Sequence, residues 1–288
     1  MEIKIKQQLA KYWFSILQDI ICLEVENLEK EYGSNIKFIK NKWKHGELRT
    51  IKGKVIEKGG VAFSNVIGKF PKEFAKKIPG TKNNTNFWSS GISVVLHPRN
   101  PKVPAMHFNT RFISTRKSWF GGGIDITPCL VDNKEKKFFH NEIKKMCNLH
   151  NKKYYIKYKK NCDEYFYLAH RKELRGVGGI FFDHKMDNWK KDFSFVKDVG
   201  NTFTYLIKEI AKKKMFKKWT KKEKEIQLLK RGKYAEFNLM YDRGTKFGLN
   251  SGGNPDAILM SMPPPNQFFC VQINLVLKCI AGILGFFG

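Results

Sequence analysis

Two neighbouring stretches of the chain carry polar side chains whose types and spacing could form a binding or catalytic site. These residues are Ser93 and His97 in the first stretch and His107, Asn109 and Arg111 in the second. Residues two apart on a β-strand point to the same face. The short Pro/Asn loop between the stretches favours an antiparallel pair of strands. We therefore expect all five side chains to share one face of a sheet.

The composition of this polar set indicates a site more than an ordinary solvated surface. Polar positions elsewhere in the chain are mostly Lys, whereas this set combines hydroxyl, imidazole, amide and guanidinium groups. These groups bind polar ligands and exchange protons. A solvated sheet face is the alternative, because polar residues on one side of a strand are usually just exposed.

A glycine-rich segment, Trp119–Pro128, follows directly. Its three consecutive glycines remove side chains where something flat or bulky can approach the main chain. Trp119 and Phe120 could supply aromatic walls, and Asp125 adds a carboxylate. A nucleotide-binding loop is excluded, because the segment lacks both the G-x-G-x-x-G spacing before a helix and a following Lys-Ser/Thr.

The elements that would position these residues come in clusters. We predict helices over residues 3–32, 133–150, 151–170 and two within 190–230. We predict strands within 37–68 and over 89–98, 106–114, 119–127, 176–182, 234–241 and 257–262. Strands that cluster instead of alternating with helices favour the α+β class, with a large antiparallel sheet covered by helices.

The bulk composition predicts one domain over residues 1–264, followed by a divergent apolar tail over 265–288. The chain has 288 residues, 42% of them hydrophobic, and no Pro/Ser-rich linker divides it. The apolar run Phe268–Gly288 is just long enough to span a bilayer, but Lys278 and two amides interrupt it, so we expect no stable membrane span. The N-terminal segment does not have the pattern of a signal peptide.

The net charge of +28 admits nucleic-acid or membrane-surface binding as a competing function. It comes from 46 Lys and only 8 Arg, spread along the chain, whereas nucleic-acid readers rely on Arg. A general compositional bias explains this better, and we expect no nucleic-acid partner. Six cysteines without a C-x-x-C pair indicate free thiols in a reducing cytoplasm.

Several long ungapped blocks give the chain a resemblance to oxygen-dependent coproporphyrinogen III oxidases, from about Gly59 to Pro264. They are GISVVLHPRNPKVPAMHFNTRFI, WFGGGIDITP, YFYLAHRKELRGVGGIFFD, YAEFNLMYDRGTKFGL and ILMSMPP. The resemblance implies a flat antiparallel sheet with helices on both faces. It also implies a homodimer whose contact region matches residues 234–269.

The resemblance further implies oxidative decarboxylation of two propionates of coproporphyrinogen III, giving protoporphyrinogen IX. Dioxygen accepts the electrons, and carbon dioxide and hydrogen peroxide are released. The reduced macrocycle supplies the electrons, so no organic cofactor is expected. The protein must hold carboxylates, exclude water and manage protons.

Site residues follow from the same match. Substrate-contacting positions correspond to Ser93, Asn109, Thr110, Arg111, Arg243, Gly252, Gly253 and Asn254. His107 matches the proton donor, and Arg111 suits a propionate because its fork can bind both carboxylate oxygens. Asp125 could accept hydrogen bonds from pyrrole N–H groups, and a structural role in the glycine-rich turn is the alternative.

A divalent metal is a further candidate partner, because four histidines match metal ligands of bacterial members. They are His97, His107, His140 and His170. Their spacings of 10, 33 and 30 residues resemble no compact ligand motif. Ordinary packed histidines are the alternative for His140 and His170.

Two departures from the family pattern motivate the alternative of a folded but weakly active or decaying relative. Asn254 stands where the family has the Arg of a Gly-Gly-Arg motif. After Pro264 the chain replaces the family's polar, aromatic tail with the apolar run.

Overall fold

The computed structural model describes residues 1–264 except 72–74, 77, 83 and 251–253. Its helices are α1 (Ile3–Glu31), α2 (Asn133–His150), α3 (Tyr154–Tyr165), α4 (Trp189–Lys214), α5 (Lys221–Met240), α6 (Arg243–Asn250) and α7 (Pro255–Ile258). Its strands are β1 (Ile39–Trp43), β2 (Gly46–Ile51), β3 (Ile56–Lys69), β4 (Asn86–Pro98), β5 (Ala105–Ser114), β6 (Ser118–Thr127), β7 (Tyr167–Leu168), β8 (Glu173–Leu174) and β9 (Gly179–Lys185).

Within the described residues, seven strands form one antiparallel sheet in the order β1-β2-β3-β4-β5-β6-β9. Each of the first five strands pairs with the next along the chain, so hairpin connections build most of the sheet. β9 returns to β6 after α2, α3 and the small β7–β8 ribbon. This confirms the predicted α+β class and its large antiparallel sheet.

One face of the sheet carries the main hydrophobic core. Residues at alternating positions of β4, β5 and β6 point into it, including Val94, Phe108 and Ile124, which are essentially buried. α1 and α4 pack on this face, and the ring of Phe108 stacks on Phe203 of α4 with 4.9 Å between centroids. Removing this apolar surface from water stabilises the arrangement of the strands.

The opposite face carries smaller and more polar residues, and helices cover only part of it. α5 lies over the end of β4, where the side chains of Gln227 and Arg231 donate hydrogen bonds to the carbonyl oxygen of Pro98. The turn after α7 places Met260 over Gly60 of β3. Helices therefore lie on both faces, as the sequence predicted, and the central part of the polar face is framed by them.

Two predicted strands, 234–241 and 257–262, are wrong. Residues 234–240 belong to α5, which begins at a capping box formed by Thr220 and Glu223. Tyr234, Phe237 and Tyr241 recur at helical spacing. Phe237 and Tyr241 pack toward β7 and α3, and the Tyr234 ring contacts Arg175. The second segment is helical because Asn254 caps α7 and Pro255 occupies its first turn.

Smaller differences concern the boundaries of other elements. The helix predicted over 151–170 ends at Tyr165, and His170 lies in a single 3₁₀ turn instead. The strand predicted over 176–182 begins at Gly179 and runs to Lys185. Among the residues that the structure describes, none of the helices has the length and apolar character needed to cross a lipid bilayer.

Candidate active site

The register of the central strands brings the predicted polar residues onto one face of the sheet. Ser93 of β4 lies opposite Asn109 of β5, and His107 of β5 lies opposite Asp125 of β6. Arg111 lies on β5 two residues after Asn109, so its side chain points to the same face. The expectation that a hairpin would gather these side chains is confirmed. We call this surface the polar face.

Glycines keep part of the polar face free of side chains. Arg111 pairs across the sheet with Gly91 on one side and Gly121 on the other, and Gly123 lies opposite Asn109. A Cβ atom at Gly121 would lie 2.7 Å from Oδ1 of Asp183 and 3.0 Å from Nη2 of Arg111. Glycine at this position leaves room for the ends of the Arg111 and Asp183 side chains where they meet over β6. The result is a low floor that a flat ligand could approach.

Arg111 ends in an ion pair at the side of this floor. Its Nη2 donates to Oδ2 of Asp183 on β9 over 2.9 Å, and the two side chains are 34% and 23% exposed. A guanidinium has five N–H donors, so this contact leaves several free for another carboxylate. Asp183 thereby fixes the Arg111 side chain where it extends over β6. Asp183 was not among the residues predicted from the sequence.

A largely buried hydrogen-bonded network of a histidine, an aspartate and an arginine lies on the same face. Nδ1 of His107 lies 2.6 Å from Oδ1 of Asp125, while Arg175 donates to the other oxygen of that carboxylate. Asp125 and Arg175 are almost fully buried, whereas the His107 side chain is 15% exposed. The histidine is therefore the one member of the three that reaches toward the open face.

The electrostatics of this network keep Asp125 ionised. Burial alone raises the pKa of a carboxyl group, but Arg175 and His107 outweigh it through their charges and hydrogen bonds. The pKa of Asp125 is therefore lowered. Because an ionised carboxylate only accepts hydrogen bonds, Nδ1 of His107 carries the proton between the two side chains, and in the neutral form of the ring Nε2 is then the acceptor. Nδ2 of Asn109 lies 3.4 Å from that Nε2.

An aromatic enclosure holds Arg175 in place. Its guanidinium carbon lies 4.0 Å from the ring centroid of Phe166, 4.5 Å from that of Tyr234 and 4.8 Å from that of Phe237. Arginine stacks well on aromatic faces, and such contacts help to compensate for its burial. Our sequence reasoning missed Arg175. The available signal was an arginine beside the glycines of LRGVGG in a chain with only 8 Arg against 46 Lys.

The four histidines proposed as metal ligands lie in separate surroundings. Nε2 of His97 contacts the carbonyl oxygen of Ser261, and that of His140 contacts the carbonyl oxygen of Val177. His170 uses Nδ1 on the Tyr241 hydroxyl and Nε2 on Glu236. Within the described residues, no group of three or more His, Cys, Asp or Glu side chains could hold a metal ion. The donor set does not fit a shared metal in this chain, and the metal stays a prediction.

Other predicted contact residues lie around or away from the polar face. Thr110 alternates with Asn109 and Arg111, so its buried side chain faces the core side of β5. Arg243 is exposed in α6, with its guanidinium carbon 4.9 Å from the Tyr165 ring centroid. Asn254 accepts a hydrogen bond from the backbone N–H of Asp256 as the N-cap of α7. Gly252 and Gly253 lie outside the described residues.

Burial of His97 gives the fold a specific pH dependence. Burial lowers the pKa of His97 to about 3, far below its ordinary value of 6.5. The unfolded chain therefore binds a proton at His97 below about pH 6.5 while the folded chain does not. We expect the free energy of unfolding to fall with decreasing pH by up to about 1.4 kcal/mol per pH unit from this residue. Denaturant unfolding between about pH 5 and 6.5, above the carboxylate titrations, measures this slope.

A pair of variants isolates the contribution of His97. His97→Gln removes the titrating ring and keeps an N–H that can reach the carbonyl oxygen of Ser261, so its slope should be shallower. His184→Gln is the matched control, because His184 is exposed. An unchanged slope in His97→Gln would contradict the assignment.

A floor of this kind, with an arginine at its side and a buried carboxylate behind a histidine, suits a flat ligand that carries carboxylates. An arginine that can bind a carboxylate beside a histidine–aspartate pair is the combination expected of an enzyme site for such a ligand.

Comparison with known proteins gives the family. The profile of coproporphyrinogen III oxidase matches residues 9–272. The chain is 48% identical over 273 residues to the oxygen-dependent coproporphyrinogen-III oxidases of Rickettsia rickettsii (strain Sheila Smith) and Rickettsia akari (strain Hartford). It is 48% identical over 272 residues to that of Rickettsia bellii (strain RML369-C). Each alignment covers 91% of this chain and 98% of the relative. The chain belongs to the coproporphyrinogen III oxidase family.

Proposed function

We propose that the chain catalyses the oxygen-dependent oxidative decarboxylation of coproporphyrinogen III to protoporphyrinogen IX, a step of haem biosynthesis. The observation that carries this proposal is the polar face itself. In a member of this family, one sheet surface combines a glycine floor, the Arg111–Asp183 pair and the buried Asp125 behind His107. The curated relatives are named for the same oxygen-dependent activity.

The proposed chemistry balances as a two-electron oxidation of each propionate. The side chain loses carbon dioxide and a proton from the carbon next to the ring, which leaves a vinyl group. The two electrons pass through the electron-rich macrocycle to dioxygen, which takes up that proton and a second proton from solvent to form hydrogen peroxide. Because the substrate supplies the electrons, this route requires no organic cofactor and no step through a metal.

Arg111 is the residue best placed to bind a substrate carboxylate. One of its N–H groups is used by Asp183, and the rest of the half-exposed fork remains available above the floor. Ser93 of β4 pairs with Asn109 of β5, which lies two residues from Arg111. Both side chains can form hydrogen bonds with the same ligand, as donors or as acceptors. This arrangement orients one edge of the macrocycle relative to His107.

His107 is the residue best placed to move protons. Its Nδ1–H is fixed by Asp125, which leaves Nε2 to take a proton from the substrate and return it to reduced dioxygen. Both oxygens of Asp125 are already engaged, and its side chain is only 4% exposed. In this proposal Asp125 therefore acts mainly through His107, as a positioning residue that stabilises the imidazolium.

The alternative of a weakly active or decaying relative is not favoured. Identity of 48% extends over 98% of the compared relatives, and the polar face retains its arginine, histidine and carboxylate. Asn254 has a local structural role as the cap of α7. If the chain were impaired at this position, Asn254→Arg would raise turnover sharply, and we expect no such gain.

Further features of the protein belong to the same proposal. We place it in the cytoplasm and expect a homodimer through about residues 234–269, of which 251–253 and 265–269 lie outside the described part. We also expect residues 1–264 to act as one domain and 265–288 as a separate tail. Light scattering measures the mass of the full chain in solution. A homodimer predicts the mass of two chains, and the mass of one chain would contradict it.

Replacing Arg111 with lysine should raise the KM for coproporphyrinogen III. The variant keeps the charge but loses the fork, and a charge-assisted hydrogen bond of about 1.5–3 kcal/mol corresponds to a factor of roughly 10–100. Steady-state kinetics measures KM and kcat separately. Arg116→Lys is the control, because Arg116 is exposed beyond the end of β5. An unchanged KM in Arg111→Lys, or an equal rise in the control, would contradict the assignment.

Turnover by the purified chain tests the proposal as a whole. Coproporphyrinogen III should give protoporphyrinogen IX in air and no product under anaerobic conditions. A parallel reaction with a chelator tests the metal, and we expect undiminished turnover. Absence of product in air, with the chain shown to be folded by circular dichroism, would refute the proposed function.

A further inference from the structure

The connection between α4 and α5 is an exposed segment that combines lysines with two large aromatic side chains. Residues 216–222 read Phe-Lys-Lys-Trp-Thr-Lys-Lys, and all seven are exposed to solvent. Phe216 is 61% exposed and Trp219 is 43% exposed. We call residues 216–222 the aromatic–lysine loop. It has no part in the polar face described above.

The lysines of this loop differ from their neighbours in forming no close ion pair. Just before the loop, Lys212 pairs with Glu31 over 2.5 Å, and Lys214 pairs with Asp132 and Glu135. Among the described residues, no carboxylate forms an ion pair with any lysine of the loop; these are Lys217, Lys218, Lys221 and Lys222. Lys217 acts on Glu135 at longer range, and the charges of Lys218, Lys221 and Lys222 are available to a partner outside the chain.

Two of these lysines also stand where helix electrostatics disfavours them. Lys221 and Lys222 are the first residues of α5, after the cap residue Thr220. The N-terminus of a helix carries partial positive charge, so cations there are destabilising. The stability of α5 therefore does not explain their placement.

The aromatic residues make contacts inside the chain on one side only. Phe216 stacks on Tyr32 at the end of α1 with 5.1 Å between centroids, and Nζ of Lys224 lies 5.7 Å from the ring of Trp219. These contacts hold both rings in place and leave much of their surface in water. A general lysine bias of the sequence accounts for the lysines, but not for an exposed Phe and Trp among them.

We propose that the aromatic–lysine loop docks the protein on an anionic lipid bilayer, with Phe216 and Trp219 entering the interfacial region and the lysines contacting lipid headgroups. Tryptophan favours the membrane–water interface, and each surface lysine adds attraction to an anionic leaflet. Apolar side chains flanked by lysines are typical of interfacial anchors. Nucleic acid fits less well, because the loop lacks Arg and its aromatic rings lie in one exposed loop and not along a groove.

Vesicle binding by the full chain tests this proposal. Wild-type protein should bind phosphatidylcholine–phosphatidylglycerol vesicles in co-sedimentation and bind pure phosphatidylcholine vesicles much less. Phe216→Ser/Trp219→Ser should weaken binding to the mixed vesicles at least about tenfold, because two large apolar side chains no longer leave water. Lys217→Gln/Lys218→Gln should weaken it by roughly thirtyfold and reduce its dependence on salt.

Matched variants separate the loop from the general positive charge and from the apolar tail. Leu149→Ser/Ile156→Ser removes two exposed apolar side chains elsewhere, and Lys136→Gln/Lys137→Gln removes two exposed lysines elsewhere. Residues 265–288 are the same in every variant. Both controls should bind the mixed vesicles within about twofold of wild type. Equal losses in control and loop variants, or loop-dependent binding of single-stranded DNA without vesicle binding, would overturn the proposal.

Discussion

Asp125→Asn should lower kcat by roughly 10²–10⁴, the usual contribution of a positioned acid–base group, with little change in KM. Asparagine has nearly the same shape but offers one acceptor oxygen, which Arg175 would retain because it is buried and charged. The amide would then present N–H groups to Nδ1 of His107 and shift the imidazole proton to Nε2. That tautomer cannot accept a proton from the substrate.

Steady-state kinetics on folded protein measures this effect, and a second buried aspartate provides the control. Asp192 lies on α4, pairs with the buried Lys185 over 2.8 Å and is remote from the polar face. Asp192→Asn should lower stability and leave kcat of the folded protein within about threefold of wild type. Retention of kcat in Asp125→Asn, or an equal loss in Asp192→Asn, would show that the histidine–aspartate pair does not set turnover.

Arg175→Met should destabilise the fold by about 3–5 kcal/mol, because it leaves the Asp125 carboxylate buried without its strongest partner. The pKa of Asp125 should rise accordingly, since burial would no longer be outweighed by the arginine. Denaturant unfolding near neutral pH gives the change in the free energy of unfolding. Activity of the remaining folded fraction should fall as well, because His107 loses an ionised partner.

A double-mutant cycle distinguishes the ion pair from simple loss of packing. Asp125→Asn/Arg175→Met removes both charges and should cost clearly less than the sum of the two single changes. Arg171→Met is the matched control, because Arg171 is a more exposed arginine that pairs with Glu236. Its cost should be about 1 kcal/mol or less. Strict additivity in the cycle would mean that the two buried groups do not stabilise each other.

Much of the fold and of the candidate site could be predicted from the sequence because the relevant signals are local. The period of two along β5 fixes that His107, Asn109 and Arg111 share a face, and the short preceding loop fixes pairing with β4. The helix Ile3–Glu31 was predicted from its apolar spacing, and its end from Gly33, which has a φ of +83°. Alternation, helical spacing and turn residues are properties of short segments.

What could not be predicted depends on contacts between distant segments. Arg175 lies 50 residues from Asp125 and reaches it only because β9 returns to pair with β6. The aromatic enclosure of Arg175 draws on α5, the segment that was wrongly predicted as a strand from residue 234 onward. Helical spacing in this segment was the signal that would have placed Tyr234 and Phe237 on the same side of α5. Without that helix, the aromatic surroundings of Arg175 could not be predicted.

The stoichiometry of the reaction tests the central claim most directly. Dioxygen uptake, carbon dioxide release and protoporphyrinogen IX formation should be measured together on the purified, folded chain supplied with coproporphyrinogen III. The account predicts two dioxygen molecules consumed and two carbon dioxide molecules released for each protoporphyrinogen formed. Dioxygen uptake without carbon dioxide release, or no uptake at all by folded protein, would contradict it.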